Sequence, residues 1–148
     1  MEEQIPVPVA APVVACDMTS APDTPQQRMA EYGRLFTQHL VGRERTAAGI
    51  RFRLRQDAGV EAWVRDLSAR EKACCPFADF TIATVDGQVA WDITVIDDDT
   101  ARAVLDEFYR LPETMGEGWT GFERRLTDLG FTTTTKDAGA GTQVRSGG

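Results

Sequence analysis

With 148 residues, 42% of them hydrophobic, the chain has the length of one ordinary domain and enough apolar material to bury a core. Its 16 Lys and Arg against 23 Asp and Glu give a formal net charge of −7, and no basic run tracks along one face, so the positive footprint that DNA or RNA demands is missing. No apolar run approaches the roughly 20 residues that span a bilayer.

Residues 1–12, rich in Pro, Val and Ala, are expected to form an extended arm. Val13 to Met18 reads as a short strand carrying Cys16. After a turn through Ser20-Ala21-Pro22-Asp23, Thr24 and Pro25 have the chemistry of a helix cap and a first helical position. Met29, Tyr32, Leu35, Phe36, Leu40 and Val41 then recur near helical spacing, which predicts a first helix to about Val41. Ile50, Phe52 and Leu54 alternate with Arg51, Arg53 and Arg55, the pattern of a strand with one buried face.

Beyond Asp57-Ala58-Gly59, Val60, Trp63, Val64, Leu67 and Cys74 fall on one helical stripe. That second helix must stop near Cys75, because Pro76 disfavours helical geometry in the residue before it. Phe77, Phe80 and Ile82, then Val89, Trp91, Ile93 and Val95, predict two strands joined at Asp86-Gly87, a strong hairpin signal. Asp97 to Thr100 caps a third helix built on Val104, Leu105, Phe108 and Leu111. Trp119, Phe122, Leu126 and Leu129 predict a short last helix ended by Gly130.

The expected class is therefore α+β, a small, mostly antiparallel sheet in the order β-α-β-α-β-β-α plus a short C-terminal helix, with amphipathic helices on one face. Residues 13–130 make the single domain. Residues 131–148, with four threonines and a Gly-rich run, read as a disordered tail. A small one-sided sheet often completes its burial in a homodimer, and a dimeric interaction module with structural cysteines is one functional reading.

Val13-Val14-Ala15-Cys16 superficially resembles a lipoprotein cleavage site. Glu2 and Glu3 stand where positive charge is needed, however, and Pro6, Pro8 and Pro12 interrupt the apolar stretch. The expected compartment is the cytoplasm, where cysteines stay reduced. The three cysteines, Cys16, Cys74 and Cys75, then read as thiols, ligands or nucleophiles and not as a disulfide framework.

Adjacent helical residues lie about 100° apart, so Cys74 and Cys75 cannot face the same way unless Pro76 breaks the last turn. They also lack the C-x-x-C spacing that gives two ligands to one tetrahedral zinc, which excludes a conventional zinc ribbon. What the spacing leaves open is a site of one or both thiols with Cys16 and with Glu71, one helical turn before Cys75. Such a ligand set suits soft or borderline ions: zinc with an open fourth position, copper(I), mercury(II) or trivalent arsenic. The competing interpretation is that Cys74 merely continues the core stripe of Val60, Val64 and Leu67.

A thiol enzyme using Cys74 or Cys75 as nucleophile or redox centre is the alternative. The negative end of the helix and Glu71 both work against thiolate formation there. His39, the only histidine, is expected to complement the end of the first helix, not to serve a cysteine. No glycine motif for phosphates is present, so neither a nucleotide nor a flavin is expected. Asp97-Asp98-Asp99 reads as a turn and cap. The arginine row of the strand reads as the wet side of the sheet.

Cys16, followed by Arg70-Glu71-Lys72-Ala73-Cys74-Cys75-Pro76-Phe77, Phe80 and the hairpin, resembles a family of small bacterial proteins that also occurs as C-terminal extensions of mercury-resistance-type regulators. The likeness covers about residues 12–112, and Cys16-Asp17-Met18 departs from the Cys-Thr-Leu of the family. It implies a fold and a thiol site, and its link to metal-responsive regulators implies a soft metal or a sulfur-reactive compound as ligand. The DNA-binding helices of those regulators have no counterpart here, so a role in transcription does not carry over.

Overall fold

Thr24 opens the first helix through a capping box: its hydroxyl accepts from the Gln27 N–H while the Gln27 side chain accepts from the Thr24 N–H. This helix, α1, runs from Pro25 to His39. It belongs to a computed structural model that describes residues 13–136. The predicted arm at residues 1–12, and residues 137–148 of the predicted tail, lie outside the described residues.

The elements in chain order are β1 (Ala15–Met18), α1, β2 (Leu40–Arg45), β3 (Gly49–Arg55), α2 (Val60–Cys74), β4 (Ala78–Val85), β5 (Gln88–Val95), α3 (Asp99–Thr114), α4 (Gly118–Asp128) and β6 (Thr132–Thr135). The class is α+β. Four antiparallel strands in the order β2-β3-β5-β4 form the main sheet, and β1 pairs with β6 in a separate parallel pair. Asp86 and Gly87 both take positive φ, 52° and 76°, the geometry of a two-residue hairpin turn. Asp98 caps α3 by accepting from the Ala101 N–H, while Asp97 and Asp99 both pair with Arg102.

Ile50, Phe52 and Leu54 of β3, with Val89, Trp91 and Ile93 of β5, put their side chains on one fully buried face. Helices α1, α2 and α3 pack on the sheet, and α4 packs on α1 and α3. Tyr32 stacks on Trp91 with ring centroids 6.0 Å apart, and Phe36 meets Phe52 at 4.9 Å, so α1 is keyed to the centre of the sheet by aromatic contacts. On the other face Arg51 pairs with Asp92 at 2.6 Å and Arg53 with Glu44 at 2.9 Å. The arginine row is thus neutralised across strands, as expected of a solvated face. No helix among the described residues is long and apolar enough to cross a membrane.

Two strands correct the expected order. Helix α1 stops at His39 instead of Val41, and Leu40 and Val41 begin β2. Residues Leu40 to Arg45 lack apolar alternation because β2 is an edge strand held by charge. Arg43 reaches the Tyr109 carbonyl and Glu113, and Arg43 and Arg45 both lie over the Tyr109 ring. The second correction concerns residues 131–148: Thr132–Thr135 form β6 instead of a disordered tail. Four β-branched residues follow a helix stop at Gly130, and Phe131 anchors them by burying its ring at 5.6 Å from that of Phe77.

Gly130 holds φ 85°. Gly130→Ala is therefore expected to cost about 1 kcal/mol of stability, since an L side chain resists the left-handed region. The urea midpoint checks this, and an unchanged midpoint would contradict it.

Candidate functional site

Helix α2 loses its geometry at Cys75, whose φ of −125° and ψ of 75° are not helical although its N–H still bonds the Glu71 carbonyl at 2.7 Å. Pro76 causes this turn-out. The ammonium of Lys72 secures it, donating to the carbonyls of Pro76 and Ala78 at 3.0 Å each and pairing with Asp79 at 2.9 Å. Cys75 is thereby rotated off the Cys74 direction and toward β1.

Strand β1 presents Cys16 to it. The two sulfurs lie 3.0 Å apart, both residues are buried (8% and 6% exposed), and neither forms a disulfide. Cys16 sits opposite Thr133 in the β1–β6 pair. The misread C-terminal strand thus holds the strand that carries one of the two thiols.

Cys74 stays on the buried stripe of α2 with Val60, Val64 and Leu67. Burial pushes its thiol up, the charge of Cys16 adds to this, and the Arg28 guanidinium works the other way. The predicted members of the site therefore share one buried region, but they are not equivalent. Cys16, Cys75 and Glu71 line a common cavity of about 50 Å³, and Cys74 does not reach its wall. Among the described residues no group of three or more His, Cys, Asp or Glu side chains is arranged to hold a metal ion.

Glu71, 5% exposed, is the hub of the polar contacts. Its Oε2 accepts from the Tyr32 hydroxyl at 2.5 Å. Its Oε1 lies 3.2 Å from Arg28 Nη1 and 3.9 Å from Cys75 Sγ. Burial raises its pKa against the opposing charge of Arg28. Arg28 is itself 4% exposed and donates two bonds of 2.7 Å to Asp23. Burial disfavours its charge, but the hydrogen bonds from Arg28 to Asp23 and the charges of Glu71 and Asp23 outweigh that, so the guanidinium stays protonated. Arg28 Nη1 is held by the Glu71 carboxylate at 3.2 Å.

The Cys75 thiol is held well above its ordinary value of 9.0, first by donating to Cys16, then by burial and by the charge of Glu71. The pair is thus a protonated dithiol at neutral pH on the Cys75 side. Arg70 completes the setting from outside: it pairs with Glu31 at 2.6 Å, with Asp66 at 2.8 Å and with Asp23 at 3.1 Å, tying α2 to α1.

Arg28 and Tyr32 are site residues that the sequence reading missed. The signal was present, because Arg28 shares the buried face of α1 with Met29, Tyr32, Leu35 and Phe36, and Glu71 shares that of α2 with Leu67 and Cys74. Opposite charges on two apolar stripes are the mark of a pair that must meet. His39, by contrast, pairs with Asp57 at 3.0 Å and is not among the residues lining the thiol cavity. No family model matches this chain, and neither a curated protein nor a solved structure matches it either.

Proposed function

We propose that this protein binds a soft metal or metalloid ion in the cytoplasm through the Cys16–Cys75 dithiol, for sequestration, delivery or sensing. The observation that carries the proposal is two free, buried thiols 3.0 Å apart at the wall of a cavity. Soft ions prefer sulfur, and copper(I), mercury(II) and trivalent arsenic can all be held by two thiolates. Glu71 lies beside the pair, its Oε1 3.9 Å from Cys75 Sγ, and Arg28 at 3.2 Å offsets its negative charge. The signature from Arg70 to Phe77 adds a proposed kinship with the small bacterial proteins that extend mercury-resistance-type regulators.

A thiol enzyme is less well supported. The reactive species would be a thiolate, and both Cys74 and Cys75 are held above the ordinary thiol range.

Titration of the reduced protein with zinc, copper(I), mercury(II) and arsenite tests the proposal. Binding of at least one soft ion at one equivalent, far tighter than zinc, is the expected result. No binding of any of them would overturn it.

The two sides of the equilibrium should also part at alkaline pH. A cation displaces the Cys75 proton, so affinity for copper(I) or mercury(II) should rise by up to about tenfold per pH unit while that thiol stays protonated. The ion-free protein should do the opposite. Its folded-state Cys75 pKa is raised, so the stability this confers is intact below the unfolded value of 9.0 and is lost as pH climbs from there toward the folded value. Urea midpoints that stay level above pH 9 would contradict the raised thiol.

A further inference from the structure

The spacing of the thiol pair and the shape of the space in front of it narrow the ligand class, on the premise that Cys16 and Cys75 do bind a soft ion. With metal–sulfur bonds of about 2.3 Å, two thiolates on a linear centre stand about 4.6 Å apart and on a tetrahedral centre about 3.8 Å. On a pyramidal centre with angles near 90°, the same bonds leave about 3.3 Å. The observed 3.0 Å lies closest to the pyramidal case, which is the geometry of a trivalent metalloid with a lone pair. Such a centre has a third position, and no third thiol lines the cavity to fill it.

The third position would open instead on the cavity, whose lining is mostly apolar (Val104, Phe108, Leu111 and Phe122 among others) and also includes Glu71 and Thr133. A hydroxyl turned toward the apolar part of that lining would be desolvated, whereas a methyl group would be at home. The volume of about 50 Å³ takes one or two carbons. An aromatic ring needs a cavity of roughly 150 Å³. Arg28 lines the same cavity, but its Nη1 lies 3.2 Å from Glu71 Oε1 and its charge is engaged by that carboxylate.

We propose that the preferred ligand of the Cys16–Cys75 pair is a trivalent arsenical bearing one short alkyl group, with methylarsonous acid as the simplest case. Two As–S bonds form and two As–O bonds break. Each thiol proton leaves with a hydroxyl as water, the methyl group stays on arsenic, and nothing is oxidised or reduced. Water and not a proton is released in this reaction, unlike the binding of copper(I) or mercury(II), which displaces protons.

The test is a titration series on the full, reduced chain with methylarsonous acid, arsenite, phenylarsine oxide and mercury(II), repeated on Cys16→Ser and Cys75→Ser. Methylarsonous acid is expected to bind at one equivalent, at least about tenfold tighter than arsenite. It should also bind tighter than the phenyl compound and be lost in both variants. Arsenite binding as tightly as the methyl compound, or phenylarsine oxide binding tightest, would overturn the alkyl preference while leaving the dithiol site standing. Mercury(II) binding with no arsenical bound would also overturn it. Failure of every ligand, mercury(II) included, would remove the dithiol reading itself and this inference with it.

Discussion

Cys75→Ser should lower the affinity for whichever soft ion the parent binds by at least about 100-fold, because losing one of two ligands exceeds the 10- to 100-fold cost of disturbing outer-shell partners. Cys16→Ser should do the same, since the two sulfurs sit 3.0 Å apart and both residues line the cavity. Cys74→Ser is the internal control. Its side chain follows the core stripe of α2 and does not line the cavity, so affinity should fall less than about tenfold. A buried hydroxyl in place of a thiol carries its own penalty of about 1–3 kcal/mol if it finds no partner. Folding of each variant is therefore measured alongside binding, and Cys75→Ala, which buries no polar atom, is read with it. Equal losses from all three serine variants would contradict the assignment of the pair.

Arg28→Met is the substitution expected to cost the most stability. The guanidinium is buried, donates twice to Asp23 and stands 3.2 Å from Glu71, so its removal strands the buried Glu71 carboxylate and leaves Asp23 with Arg70 alone. Breaking a buried pair from one side costs about 3–5 kcal/mol. For a chain of this length that corresponds to a fall in Tm of roughly 10 °C. Adding Glu71→Gln to Arg28→Met should restore part of the loss, because the stranded charge disappears. Denaturation followed by tryptophan fluorescence reads both variants. A loss below about 1 kcal/mol for Arg28→Met would mean that the Arg28–Glu71–Asp23 cluster is solvated and not structural.

The contrast between Cys74 and Cys75 shows what was legible in the sequence. The helical stripe placed Cys74 in the core, and the observed α2 keeps it there. The same arithmetic forbade both thiols from facing one way while the turn stayed helical. It left the resolution to Pro76, which rotates Cys75 out through a non-helical φ and ψ. What could not be read was the distance from Cys75 to Cys16, because 59 residues separate them and the contact depends on β1 being fixed by β6.

Strand β6 itself was hidden for a physical reason: Thr132 to Thr135 offer no apolar alternation, and a lone parallel pair draws its order from Phe131 and not from a pattern within the strand. Strand β2 escaped in the same way. Its second half, Arg43 to Arg45, is charged, and these side chains are organised by Tyr109 and Glu113, distant in sequence, and by Arg53 on the neighbouring strand. The central strands and the three long helices, whose apolar periodicity is local, lie where the sequence indicates. Arg28 and Glu71 fall between these cases: each was visible as a charge on an apolar stripe, but only the packing of α1 against α2 makes them a pair.

X-ray absorption at the edge of the bound soft ion tests the dithiol site most directly, because it counts the sulfur neighbours. The protein loaded with one equivalent should show two sulfur ligands at about 2.3 Å, falling to one or to none in Cys16→Ser and in Cys75→Ser and staying at two in Cys74→Ser. A first shell of oxygen or nitrogen alone, or a sulfur count unchanged by removing Cys16, would contradict it.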